Sequence, residues 1–145
     1  MNDFKRVLVP VDGSELSNKA FHKAMDLAEM VGSKVDVMHV ADYPTPTPRG
    51  MEQPERVESD DMGEKVIKPY KTLAEELKTD IETIIEHGDP SDNIIDRSRN
   101  YDLIIMGTRG RNPVESLLIG SVAEKVARNA CCPVMLIRDS TEGCS

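Results

Sequence analysis

Gly107, Gly110, Gly120 and Ser121 fall in the pattern Gly-x2-Gly-x9-Gly-Ser, a spacing that can wrap a backbone around an anion. Glycine lets the main chain approach a ligand without a Cβ in the way, and successive N–H groups can turn inward as an anion nest. Gly120-Ser121 also opens a segment with helical periodicity. The free N–H groups and dipole of a helix start attract phosphate, and the Ser121 hydroxyl adds a donor. Arg109 and Arg111 stand beside the first two glycines as sources of positive charge. The spacing alone leaves a second reading open, in which the glycines only make turns and Ser121 only caps a helix. A second turn, Asp12-Gly13-Ser14, follows the apolar run VLVPV, and there too Asp12 can be a ligand contact or a cap.

These turns must be held by regular elements, and the chain supplies them in alternation. Lys5 to Val11, Lys34 to Val40, Ile81 to Glu86, Tyr101 to Met106 and Pro133 to Arg138 read as strands, mostly continuous apolar runs suited to burial on both faces. Apolar residues at helical spacing predict helices over Glu15 to Val31, Glu64 to Lys78, Asp89 to about Arg99 and Ser121 to Asn129. Ser14 or Asp12 caps the first, Gly32 ends it, and Asp89 or Ser91 caps the third. Five strands alternating with helices predict one α/β domain with an open, mostly parallel sheet covered on both faces. Ligands in such sheets bind outside the carboxyl ends of the strands, where strand order reverses, and both turns lie at such ends.

Residues 41–63 break the alternation. They hold Pro44, Pro46, Pro48 and Pro54 among many charges and follow neither period. Two readings remain for them, a lid or binding loop and a disordered insertion. The tail from Asp139 is expected to fray.

Composition narrows the function. Acidic residues outnumber basic ones 26 to 18, for a formal net charge of −8. That balance argues against a nucleic-acid partner and against general binding to anionic membranes. No apolar stretch is long enough to cross a bilayer, and the N-terminus lacks the regions of a signal peptide. Three cysteines, Cys131, Cys132 and Cys144, make no disulfide framework, so a cytoplasmic protein is expected.

The opening VLVPVDGSE, the segment MGTRGR and the segment GSVAEKVARNACCPVMLIR together resemble the universal stress protein family, over Phe4 to Arg138 except the loop after the second strand. The glycine pattern is similar to that family's ATP-binding motif. The resemblance implies a sheet of order 3-2-1-4-5, an adenine-nucleotide α-hydrolase-like fold. It implies that Pro10, Val11 and Asp12 flank adenine and ribose, with Asp12 near the ribose hydroxyls, and that Val40 holds the adenine. Met106 would lie under the nucleotide, and the backbone of Gly107, Gly110, Gly120, Ser121 and Val122 would take the phosphates. The ligand would be ATP, or AMP or ADP, with Mg2+ or Mn2+ as a companion ion, which Asp12 could help hold if the protein is a slow ATPase. The resemblance also implies a homodimer through strand 5, Val134, Met135, Leu136 and Ile137, an apolar strand at the sheet edge. The chain departs from the family at Asn112-Pro113-Val114-Glu115-Ser116, where glycine and basic residues are common. Glu115 is expected to point outward, with Arg109 and Arg111 as the cationic contacts.

Other constellations have plainer readings. His39 is expected as a half-buried structural residue, and His22 and His87 as surface residues. Met25, Met30, Met38, Met106 and Met135 are expected to fill the core, as is the Cys131-Cys132 pair. No His and Cys spacing resembles a zinc site. The Walker A pattern and the acidic set of a receiver domain are both absent. With no evident catalytic base, an ATP-holding regulatory module is expected. A slow ATPase and a nucleotide-independent dimeric interaction module are the alternatives.

Overall fold

The computed structural model describes residues 4–41, 54–109 and 119–138. In chain order the elements are β1 (Arg6–Pro10), α1 (Glu15–Val31), β2 (Lys34–Ala41), α2 (Pro54–Glu76) and β3 (Ile81–His87). There follow α3 (Pro90–Arg97) with a 3-10 turn (Ser98–Asn100), β4 (Leu103–Gly107), α4 (Ser121–Asn129) and β5 (Val134–Ile137). The sheet is parallel throughout, in the order β3-β2-β1-β4-β5. Strand order reverses at β1, so β1 and β4 diverge at their carboxyl ends and leave a crevice there.

Alternate strand residues feed two cores. Val7 and Val9 of β1, Val35 and Val37 of β2 and Ile105 of β4 pack under α1 and α2, against Phe21, Ala24, Ile67, Tyr70 and Ala74. Leu8, Met38, Ile104 and Met106 point the other way, against Ile94 of α3 and Ala123 and Val126 of α4. Phe21 is fully buried and meets Tyr70 edge to face, with ring centroids 5.1 Å apart. Burial of an aromatic side chain of that size contributes roughly 2–3 kcal/mol.

Local signals set the helix ends. Ser14 caps α1 by accepting from the Ser17 amide at 3.2 Å, and Asp12 Oδ1 accepts from the Ser14 amide at 2.9 Å. Gly32 closes α1 in the left-handed region, φ 77°, and donates to Ala28. Asp89 rather than Ser91 caps α3, with Pro90 in the first turn.

The largest departure from the sequence reading is α2, which begins at Pro54 and not at Glu64. Proline needs no hydrogen-bond acceptor in a first turn, and the carboxylate-rich stretch after it suits a helix N-terminus. Neither signal shows up as apolar periodicity. The segment 41–63, read as a lid or a disordered insertion, is therefore helical from 54 onward, and 42–53 lies outside the described residues. At Gly63 a Cβ would stand 3.0 Å from Ile85 Cγ2, so α2 runs hard against β3. Two methionines also differ from expectation. Met30 is 79% exposed on the outer face of α1, and Met135 is 39% exposed on β5. Each sits one position away from its element's buried stripe or at the sheet edge.

Candidate functional site

The carboxyl ends of β1, β2 and β4 and the start of α4 enclose a cavity of about 490 Å3, within the range of small-molecule sites. Pro10, Val11 and Asp12 enter it from β1 and its following turn, and Val40 enters from β2. Met106, Gly107 and Arg109 come from β4 and the chain just past it, and Gly120, Ser121 and Val122 from the start of α4. Ten of the eleven residues expected from the sequence thus line one space. The eleventh, Gly110, lies outside the described residues, as do Arg111 and Glu115.

Backbone bonds fix each wall. Val11 donates its amide to the Met38 carbonyl at 2.8 Å, and its own carbonyl lies 2.9 Å from His39 Nδ1. His39 is half-buried, as expected, and its ring steadies the β1 terminus. On the other side, Thr108 donates to Ile137 at 2.9 Å, and the Gly120 amide donates to the Thr108 carbonyl at 2.6 Å. That last bond brings the start of α4 to the end of β4. Gly120 brings no capping side chain, and the first helical bond runs from Glu124 back to Gly120. The amides of Ser121, Val122 and Ala123 therefore head the helix without intrahelical acceptors, at the positive end of its dipole.

Two glycines carry packing reasons of their own. A Cβ on Gly107 would lie 2.7 Å from Leu16 Cβ, and one on Gly120 would lie 3.1 Å from the Thr108 carbonyl oxygen. Among the described lining residues, Asp12 is the one carboxylate and Arg109 the one cation. No cluster of three or more His, Cys, Asp or Glu side chains suited to a metal ion occurs among the described residues.

Sequence reasoning missed part of the wall. Met62 and Val66 of α2, Pro90 and Ile94 of α3, and Ser17 and Thr108 also line the cavity. The i, i+4 spacing of Met62 and Val66 is a helical signal that becomes readable once α2 is known to begin early. A larger open groove, about 1100 Å3, lies at the opposite end of the sheet, between the last turns of α1 and α2 and the start of β3. It has no helix N-terminus and none of the turns at strand carboxyl ends, so the smaller cavity is the candidate site.

The model of the Universal stress protein family matches residues 3–138. The chain belongs to that family. A universal stress protein of Methanocaldococcus jannaschii is 32% identical over 143 residues, which cover 94% of this chain and 84% of the relative. A solved universal stress protein in complex with cAMP superposes with a TM-score of 0.72 at 22% identity, covering 96% of this chain and 100% of the other. A universal stress protein family protein of Arabidopsis thaliana with AMP bound gives a TM-score of 0.70 at 19% identity, covering 97% and 95%. At these identities the solved structures share the fold. As a universal stress protein domain, the chain has the open sheet of order 3-2-1-4-5 that the family resemblance implied.

The remaining side-chain expectations divide. His22 is exposed, whereas His87 is half-buried. Cys131 is exposed and Cys132 half-buried against the second core, so one of the pair packs and the other does not. Cys144 lies outside the described residues. No helix among the described residues is long and apolar enough to cross a membrane.

Proposed function

We propose that this universal stress protein domain binds an adenine nucleotide in the cavity at the carboxyl ends of β1, β2 and β4, and that it works as a regulatory module whose ligand is ATP. The observation that carries the reading is the meeting of an apolar wall with a helix start. Val11, Met38, Val40 and Val66 offer a slot for a flat base at one side, and the head of α4 with Arg109 offers phosphate contacts at the other. Asp12 stands on the β1 side, where a carboxylate can accept from ribose hydroxyls, and it is the residue that would approach a Mg2+ or Mn2+ ion carried in on the phosphates. The neighbours that hold cAMP and AMP agree with an adenine-nucleotide ligand and leave the phosphate count to experiment.

A regulatory role fits better than rapid hydrolysis. His39 Nδ1 is engaged by the Val11 carbonyl, and Asp12 Oδ1 by the Ser14 amide. Neither is set up to activate a water molecule at the phosphate end. Titration calorimetry of nucleotide-stripped protein with ATP, ADP and AMP tests the reading, with Ser121→Glu beside the wild type. Glutamate in a first helical turn favours the helix but repels phosphate. One-per-chain binding that this folded variant loses supports the reading, and no binding by the wild type refutes it.

We further propose a homodimer through β5. Its described residues pair with β4 on one side, and Val134, Met135, Leu136 and Ile137 form an apolar edge that can accept a second copy. The thiols of Cys131 and Cys132 fit a reducing compartment, and we place the protein in the cytoplasm. Sedimentation at micromolar concentration checks the dimer, and a monomer there would refute it.

A further inference from the structure

Tyr70 is a buried polar group that the nucleotide reading leaves unused. It is 3% exposed on α2, and its ring packs against Phe21. Its hydroxyl donates to Asn18 Oδ1 at 2.5 Å and lies 3.0 Å from Ser17 Oγ. Ser17 in turn accepts from the Asp12 amide at 3.4 Å, and its one proton reaches either Tyr70 or the Ser14 carbonyl 3.0 Å away, the first of which completes the link to α2. Ser17 itself lines the cavity. One short chain of hydrogen bonds thus runs from α2, through the first turn of α1, to the backbone of Asp12.

The helix that carries Tyr70 holds a proline just before it. Pro69 has no N–H, so the helical bond to the Lys65 carbonyl cannot form, and the preceding turn is weakened. Of the residues that α2 presents to the cavity, Met62 lies before that turn and Val66 within it.

We infer that Tyr70 is a positioning residue for the cavity: its hydroxyl holds Ser17 and the Asp12 turn in place, so the affinity of the site depends on how α2 is seated on α1. The inference takes its ligand probe, ATP, from the function proposed above. Its claim about the turn can be read without any ligand. Anything that reseats α2 then alters binding at the β1 turn, although the described α2 residues that line the cavity, Met62 and Val66, are apolar.

Tyr70→Phe, Ser17→Ala and the double variant test this, because phenylalanine keeps the ring packing and removes only the hydroxyl. In ligand-free protein, amide hydrogen exchange at Asp12 and Ser14 is expected to quicken in Tyr70→Phe. ATP affinity is expected to fall about 3- to 10-fold, the worth of one hydrogen bond. The double variant is expected to be no weaker than the weaker single one, since both break the same chain. Unchanged exchange at Asp12 and Ser14 overturns the inference whatever ATP does. Equal ATP affinity in Tyr70→Phe with only a lower melting temperature also overturns it, because a residue that merely stabilises the fold behaves that way. If the wild type binds no ATP yet exchange quickens, the nucleotide reading fails and the positioning of the turn stands.

Discussion

The hydroxyl of Tyr101 donates a 2.7 Å hydrogen bond to Oδ2 of Asp36, a carboxylate 2% exposed in β2. Arg6 completes the group. Its Nη2 lies 3.6 Å from the same oxygen, and its guanidinium sits 4.9 Å from the centre of the Tyr101 ring. The cluster occupies the amino end of the sheet, away from the cavity. It explains how a charged residue can occupy the middle of a core strand, since a buried carboxylate is tolerated when it is paired and hydrogen-bonded.

Tyr101→Phe should therefore cost about 1–3 kcal/mol, the penalty of taking a donor from a buried acceptor. Oδ1 of Asp36 has no hydrogen-bond partner among the described residues, so the carboxylate has little else to fall back on. Urea unfolding at pH 7 measures the loss. Leu8→Ala, in the same core layer, should cost about 2–5 kcal/mol and serves as a packing comparison.

The same pair gives a pH dependence. Burial first, and then the bond to Asp36, push the Tyr101 hydroxyl up to about 12 from its ordinary value near 10. The folded state holds the proton more tightly than the unfolded state. Its contribution to stability is complete below about pH 10 and is lost as pH rises through about 12. Wild type should lose more stability across that window than Tyr101→Phe does, and parallel unfolding curves for the two would refute the assignment.

The adjacent cysteines should react unequally. Burial, then the neighbouring Cys131, push the Cys132 thiol up to about 11, and it is half-buried, while Cys131 is exposed. Since the thiolate is the nucleophile, iodoacetamide at pH 8 should label Cys131 well before Cys132. Peptide mapping by mass spectrometry resolves the two, and equal rates would contradict this account.

Gly107→Ala should destabilise the fold by about 1–3 kcal/mol through overpacking against Leu16. Gly32→Ala should cost about 1 kcal/mol for a different reason. Nothing stands within 4 Å of the added methyl, but φ is +77°. Thermal melts of both variants separate crowding from backbone strain, because Gly32→Asn should recover part of the second loss and none is available for the first.

Much of this was legible in the sequence because the signals were local. α1 runs from Glu15 to Val31, as its cap at Ser14 and its stop at Gly32 announce, and α4 runs from Ser121 to Asn129 after Gly120. The site residues at strand ends were legible for the same reason, since a strand's last residue and the turn after it are neighbours in the chain. The early start of α2 was not, because Pro54 to Met62 has no apolar period and its helix rests on end effects. Met62, Val66, Pro90 and Ile94 reach the cavity only through the packing of α2 and α3 on the sheet. No spacing within either helix says which strand end it will overhang. Met30 shows the reverse error, where an apolar residue type suggested burial and the helical angle turned it outward.

The crowding at Gly107 also bears on how this chain can change over time. The crowding that an added methyl meets at Leu16 is the same whether or not a nucleotide is ever bound. A lineage with no ligand to hold would still favour glycine at that position for the sake of its own hydrophobic core. Ser121 is exposed, and Arg109 is more open than the buried strand residues before it, so these two would be first to drift. A saturation library sorted only for folding should keep Gly107 and scatter at 109 and 121. The first glycine of the motif answers to the fold, and selection for the proposed ligand would be read at positions 109 and 121 instead.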